Sequence, residues 1–176
     1  MTRTVWTLAW LLFLVSAHLG ANDCNPRDPH LRSDDPDLIA AIATATDGSP
    51  TFRDLLDRLN RSDVVVYVKF DRGAGADLAG RTTFVSAAGG RRYLRIAIDR
   101  RYFGCQRLGI LGHELRHAVE IAEDASVTGD ASLAALYREI GFRSGQEHED
   151  RFDSIAAIDA GHQVQREIAA GALVSR

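Results

Sequence analysis

The sequence predicts a single α+β domain, because its helix-like and strand-like segments are grouped rather than alternating. Two helical patterns come first, three β-branched or aromatic runs follow, and three helical patterns complete the chain. The 176 residues, 45% of them hydrophobic, suffice for one domain with its own core and are too few for two. We therefore expect a three-stranded antiparallel sheet packed with helices.

The first two elements are helices with clear start signals. The segment SDDPDLIAAIATAT predicts a capped helix over 34–45. In GSPTFRDLLDRLN, Ser49 is a good N-cap, Pro50 occupies the first helical position, and apolar residues form one stripe. We expect these two helices to pack with the sheet that follows.

The period then changes to that of strands. The run VVVYVKF at 64–70 is β-branched and aromatic, as in a buried strand. RTTFVSA at 81–87 and YLRIAID at 93–99 flank the glycine-rich turn AGGRR and predict a hairpin. The glycines of the connection DRGAGADLAG lack the Lys-Ser/Thr of a phosphate loop, so we assign them no nucleotide-binding role. Helices are predicted over 106–124, 130–140 and 150–170.

The N-terminal region differs in composition from the rest. Arg3 precedes an apolar run at 5–15, small residues follow, and Ala21 could end a cleavage site. The run is shorter than the roughly 20 apolar residues that a membrane-spanning helix needs. A signal peptide at 1–21 is the favoured interpretation, with an uncleaved anchor as the alternative. The mature domain would then be 22–176, secreted or periplasmic, with no stable membrane association after cleavage.

Only two cysteines are present, Cys24 and Cys105. In an oxidising compartment such a pair most often forms a disulfide. The bridge would close a loop of about 80 residues, for which the chain-entropy model gives at most ~4 kcal/mol. The formal net charge of −3 gives no basic field for nucleic acid or an anionic membrane.

The segment GILGHELRHAVEIAED carries the chemistry. His113 and His117 are four residues apart, so on a helix their imidazoles stand on one face and can bind one metal ion. Glu114 lies one residue further around the helix, where its carboxylate would approach a water bound to that ion. Leucines and alanines form a largely separate core-facing stripe. Gly112 would let another segment or a substrate come close beside His113.

HELRHAVE resembles the active-site helix of the zincin metallopeptidases, and HEL-x-HAV is most similar to the thermolysin-type gluzincins. This resemblance implies a zincin-like domain in which His113 and His117 bind Zn²⁺ and Glu114 is the general base. Most of the mature chain also resembles an uncharacterised family of secreted bacterial proteins with an HExxH helix, which implies nothing about a substrate.

A catalytic zinc normally takes three protein ligands and leaves one position to water. The metzincin spacing would place a glycine at 120 and a histidine or aspartate at 123, but this chain has Glu120 and Glu123. Glu123 is expected to point away from the metal. Glu120 shares the histidine face one turn further along, so we interpret it as a carboxylate that contacts a ligand or lies on the surface, and we keep it as a reserve ligand.

Gluzincins take the third ligand from a later helix. In the predicted helix over 150–170, Asp153 lies near the centre of a small-residue face and Glu149 lies at its edge. A charge on such a face costs several kcal/mol unless it is paired, and a metal offsets that cost. We therefore favour Asp153 as the third ligand. The family's Glu-x-x-x-Asp spacing supports the alternative, with Glu149 as ligand and Asp153 orienting a histidine.

The remaining candidates are expected to be structural. Tyr137 could hydrogen-bond an oxyanion but is more simply a half-buried aromatic residue, as are Tyr93 and Tyr102. His162 is expected to be solvated, and His30 is expected to be a solvated loop residue rather than a ligand.

These observations favour a secreted zinc hydrolase, most simply a peptidase acting on peptide or protein substrates. Bound zinc would lower the pKa of water toward ~7, and Glu114 would take that proton and pass it to the leaving amine. Extended substrate could add to the sheet by β-augmentation. The alternatives are a non-catalytic zinc-binding protein of the same fold and a metal-free secreted binding module. The sequence makes no prediction of oligomeric state.

Overall fold

The computed structural model describes residues 29–71, 78–144 and 152–174. The expected signal peptide, Cys24 and Glu149 lie outside these ranges, so the signal peptide and the disulfide to Cys105 stay predictions. Within the described ranges, no helix has the length and apolar character needed to cross a membrane. The elements in chain order are β1 (Leu31–Arg32), α1 (Pro36–Gly48), α2 (Pro50–Asn60), β2 (Val64–Asp71), β3 (Gly80–Ala88), β4 (Arg91–Asp99), α3 (Gly104–Glu123), α4 (Asp130–Ile140), β5 (Phe142–Arg143), β6 (Phe152–Asp153) and α5 (Ile155–Val174).

The first two helices start at the capping signals in the sequence. The Asp35 carboxylate accepts a hydrogen bond from the Asp37 backbone N–H at the start of α1. Ser49 caps α2 by accepting from the Phe52 N–H, with Pro50 in the first turn. The α+β class is confirmed. The predicted start of the last helix was wrong, since α5 begins at Ile155 and not near residue 150.

The sheet differs from the three-stranded antiparallel sheet that the sequence predicted. The predicted hairpin is present, because β3 and β4 pair antiparallel around Gly89 and Gly90, which both have positive φ. However, the strand order is β1-β2-β4-β3, and β2 runs parallel to both β1 and β4. The consecutive buried valines at 64–66 suit an interior parallel strand, whereas Tyr67 and Lys69 further along β2 are exposed on one face. Side-chain periodicity carries no strand direction, so the sequence could not distinguish the two pairings.

The central element of the core is α3. It contacts β2, β3 and β4 on one side and the helices α1, α2 and α5 elsewhere. The stripe predicted from the sequence is buried, with Leu111, Leu115 and Ala118 fully inaccessible. Because the HELRH segment lies on α3, the candidate site is built on the most enclosed helix of the described structure.

Small residues bring α3 and α5 into close contact. A Cβ added at Gly112 would lie 2.7 Å from Val164 Cγ2, and one added at Gly161 would lie 3.0 Å from the Gly109 carbonyl oxygen. Gly161 also faces the Cβ of His113 at 3.0 Å. The close approach beside His113 that Gly112 predicted is therefore observed, and the approaching segment is α5.

We expect Gly112→Ala to destabilise the fold. The added methyl group overlaps Val164, and overpacking of this kind costs about 1–3 kcal/mol. Gly171→Ala is the control, because this exposed glycine of α5 has open space around its Cβ position and the substitution should stabilise by up to ~0.5 kcal/mol. Urea unfolding of both variants tests this, and equal free energies of unfolding would contradict it.

A buried arginine fixes the C-terminal end of α3. Arg92 is 4% exposed and donates to the carbonyl oxygens of Ile121, Ala122 and Asp124 at 2.6–3.1 Å. Its Nε and Nη2 also form a two-pronged ion pair with Asp63 at 2.8 and 2.7 Å. Arg92 thereby satisfies carbonyl groups that every helix leaves without intrahelical partners, and it ties β4 to the end of α3.

The Asp63–Arg92 pair makes stability depend on pH in the acid range. The hydrogen bonds and charge of Arg92 outweigh partial burial and hold the pKa of Asp63 below its usual 3.8. A lowered folded pKa contributes stability that is complete above the unfolded pKa and is lost as pH falls through the folded value. We expect Asp63→Asn to lose about 1 kcal/mol at pH 7, because solvent screens the partly exposed carboxylate, and to lose part of the acid dependence below pH ~4. Denaturant titrations at several pH values test this, and an unchanged acid dependence would contradict it.

Candidate metal centre

Two imidazoles converge on one face of α3. The Nε2 atoms of His113 and His117 lie 3.1 Å apart, and the two rings meet edge to face. His117 is buried and His113 is partly exposed. The one-turn spacing in the sequence thus produces the convergence expected of a helical HExxH segment.

Asp153 completes the cluster from a different part of the chain. Its Oδ1 lies 3.4 Å from the Nε2 of each histidine. Helical periodicity predicts Asp153 on a helical face, but the residue lies in the short strand β6, just before α5 begins. The prediction from periodicity was therefore wrong for this residue. Asp153 reaches the histidines because the close packing of α5 on α3 brings the start of α5 above them.

The three atoms have the spacing of ligands around a small cation. A tetrahedral ion with ligands at about 2.0–2.1 Å separates neighbouring ligand atoms by about 3.3 Å. The separations here are 3.1, 3.4 and 3.4 Å. His113, His117 and Asp153 could hold a metal ion, and a set of two imidazoles and one carboxylate suits zinc as well as other divalent transition metals.

Glu114 is held beside this cluster by strand β3. It is 4% exposed, and its Oε2 accepts a hydrogen bond from the Thr82 hydroxyl at 2.7 Å. Gly80, two residues earlier on the strand, leaves room for the carboxylate, because a Cβ there would lie 2.7 Å from Glu114 Oε1. The edge strand therefore fixes the orientation of the side chain that the sequence nominated as general base.

A second layer of polar groups surrounds His117. Glu120 Oε2 lies 2.9 Å from His117 Nδ1, and the Tyr137 hydroxyl lies 2.9 Å from the same nitrogen. Tyr137 also donates to Glu120 Oε2 at 3.3 Å, and Ser154 donates to Glu120 Oε1 at 2.7 Å. Glu120 thus contacts the far side of a candidate ligand, a position that the sequence favoured over direct ligation.

The charges of the cluster shift the pKa values of its members. Burial disfavours charged His117, but hydrogen bonds to Asp153 and Glu120 together with the charge of Glu114 raise its pKa from 6.5 to about 9. Burial acts to raise the pKa of Asp153, yet the hydrogen bond to His117 and the charge of His113 bring it below its usual value. The centre of the cluster therefore favours positive charge, carried by a proton or by a metal cation.

Two open cavities meet at these side chains. One, of about 420 Å³, extends between α3 and α5, and the other, of about 530 Å³, extends toward α4. Both are lined by Gly80, His113, Glu114 and Asp153. A ligand lying across the cluster would therefore find space on both sides of it.

The other candidates have different positions. Glu123 pairs with Arg58, away from the histidines, as expected. His162 is exposed, also as expected. The expectation for His30 was wrong, because its buried ring contacts the Leu59 carbonyl oxygen and Arg91.

Sequence reasoning missed several supporting residues. Thr82 and Ser154 gave no signal, since single hydroxyl residues are common, and Tyr137 was interpreted as an ordinary aromatic residue. Arg92 did give a signal, because it alternates in phase with the buried Leu94 and Ile96 of β4, and a charge at an inward position requires partners.

No protein-family model, curated protein or solved structure matches the chain. The resemblance to the zincin metallopeptidases therefore rests on the HELRH motif alone and stays a prediction.

Proposed function

We propose that this protein is a zincin-like, metal-dependent hydrolase that cleaves peptide bonds, with zinc as its expected ion. His113, His117 and Asp153 are the proposed ligands, and Glu114 is the proposed general base. The observation that carries the proposal is the triangle of ligand atoms, 3.1–3.4 Å on each side, with a buried carboxylate next to it.

The residues divide the chemical work. A bound divalent cation supplies a Lewis acid that activates water and polarises a carbonyl group. Glu114 provides a carboxylate that accepts a proton at one oxygen and delivers it to the leaving amine. The Thr82 hydroxyl bonds Oε2 and keeps that carboxylate directed into the cleft. This arrangement positions the base before substrate arrives, which avoids a reorganisation cost during the reaction.

The edge of the sheet supports a peptide as substrate. Among the described residues β3 pairs only with β4, so its other edge presents backbone N–H and C=O groups. Residues 80–83 of β3 line the cavity that also contains His113 and Glu114. An extended peptide can add to such an edge through main-chain hydrogen bonds. The cavities on both sides of the cluster leave room for substrate residues on either side of the cleaved bond.

The proposed place of action is outside the cytoplasm. This part of the proposal depends on the N-terminal sequence, with its single arginine and short apolar run, and on the pair of cysteines. Secretion would bring the enzyme to peptides and proteins of the periplasm or the surrounding medium.

Metal binding should require Asp153. We expect the protein, purified without a His tag, to contain about one zinc per chain, and Asp153→Ala to weaken zinc binding by more than ~100-fold through loss of a ligand. Glu149→Ala is the matched control and should retain zinc. Metal analysis and competition with a chromogenic chelator measure both. Loss of zinc in the Glu149 variant with retention in the Asp153 variant would overturn the ligand assignment, and a metal-free parent would overturn the proposal.

Catalysis should require Glu114 while metal binding does not. We expect Glu114→Gln to retain zinc and to lower kcat by about 10²–10⁴-fold, because the amide cannot accept the proton. Hydrolysis of casein or a quenched peptide library provides the assay. If the parent cleaves these substrates and the variant cleaves them equally well, the assigned role of Glu114 is wrong.

A further inference from the structure

The Glu120 carboxylate contacts two segments that each carry a proposed metal ligand. Its Oε2 lies 2.9 Å from His117 Nδ1, within α3. Its Oε1 accepts a hydrogen bond from Ser154 at 2.7 Å, at the junction of β6 and α5. Glu120 is 5% exposed, so both contacts are shielded from competing water.

Ser154 connects this carboxylate to Asp153. Its hydroxyl oxygen accepts from the Ala157 N–H at 3.0 Å, which caps the first turn of α5. Its own backbone N–H donates to Asp153 Oδ1 at 2.7 Å, the atom that lies 3.4 Å from both histidines. A shift of Ser154 would therefore move the proposed third ligand.

The contact between Glu120 and His117 also determines the tautomer and the orientation of the imidazole ring. When Nδ1–H donates to Glu120, the lone pair of Nε2 points toward His113 and Asp153, as a metal ligand requires. Tyr137 donates to the same carboxylate oxygen and limits its movement. One buried side chain thus sets the tautomer of one ligand and the position of another.

We infer that Glu120 is a positioning residue that fixes the distance between the ligands of α3 and the ligand of β6, acting on His117 directly and on Asp153 through Ser154. This inference rests on the proposed metal site and assigns Glu120 and Ser154 a role beyond stabilising the fold. It explains why a carboxylate at position 120 faces the histidines one turn away without being a ligand itself.

The chain contains a matched arrangement far from the cluster. Ser49 caps α2 by accepting from the Phe52 N–H at 3.0 Å, and its hydroxyl donates to Glu167 of α5 at 2.5 Å. Ser49 and Ser154 thus have the same capping role and the same bond to a glutamate of another helix. Only Ser154 is next to a proposed metal ligand, so Ser49 controls for the general loss of a cap and a hydrogen bond.

The experiment compares Ser154→Ala and Ser49→Ala, with Zn²⁺ affinity from chelator competition and the visible spectrum of the Co²⁺-loaded protein as readouts. We expect Ser154→Ala to weaken Zn²⁺ binding about tenfold and to change the Co²⁺ spectrum. Ser49→Ala should lower the melting temperature and leave both metal readouts unchanged. Ser154→Thr retains the hydroxyl and should restore affinity, and Glu120→Gln should weaken binding by about 10–100-fold.

Further variants keep the test decisive. Glycine is tolerated as an N-cap, so Ser154→Gly removes the bond to Glu120 even if the alanine variant fails to fold. In an Asp153→Ala background, Ser154→Gly should have no further effect on affinity, because its action passes through Asp153. Metal readouts that stay at parent values in both Ser154 variants would overturn this inference and leave the proposed function intact. A parent protein that binds neither ion would overturn both.

Discussion

The enclosure of α3 is the constraint on which the site depends. This helix contacts the sheet on one side and three other helices elsewhere, and the side chains of Glu114, His117 and Glu120 are buried there. A polar group buried in this way costs several kcal/mol unless it is bonded. Each one is accordingly partnered: Glu114 by Thr82, and Glu120 by Ser154 and Tyr137. The same low-polarity surroundings strengthen the attraction between the convergent imidazoles, the Asp153 carboxylate and any cation held between them.

The site also requires that α5 packs closely against α3, and this close packing depends on glycines. The helices α3 and α5 approach closely at Gly109, Gly112 and Gly161. A Cβ added at any of these glycines would lie within 3.1 Å of an atom of the other helix. Because of this distance the start of α5 lies above the histidines, and the strand residue before it can reach them. At the other end of α3, Arg92 bonds the last carbonyl groups and attaches the helix to β4. Chemistry and packing are therefore specified by different residues of the same helix.

Part of the candidate site could be predicted from the sequence, because those residues are close to one another along the chain. The spacing of His113 and His117 determines that the rings share a face on any helix, and the capping pattern around Ser49 places the start of α2. Asp153 was named on an argument about a helical face that does not hold, since the residue precedes the helix. The hydroxyl partners Thr82 and Ser154 could not be named, because each is more than 30 residues away from the glutamate that it contacts. Such pairs are determined by the fold, not by a pattern in the chain.

The sequence by itself determined the α+β class, the first two helix starts, the β3–β4 hairpin and the pair of imidazoles, because each depends on periodicity, capping or turn chemistry within a short segment. Only the tertiary structure decided the parallel pairing of β2 with β4, the burial of His30 and the meeting of Asp153 with the histidines. Strand direction and long-range contacts depend on how the segments between elements run and how closely helices can approach. These quantities depend on the whole packed core, which no single stretch of the chain encodes.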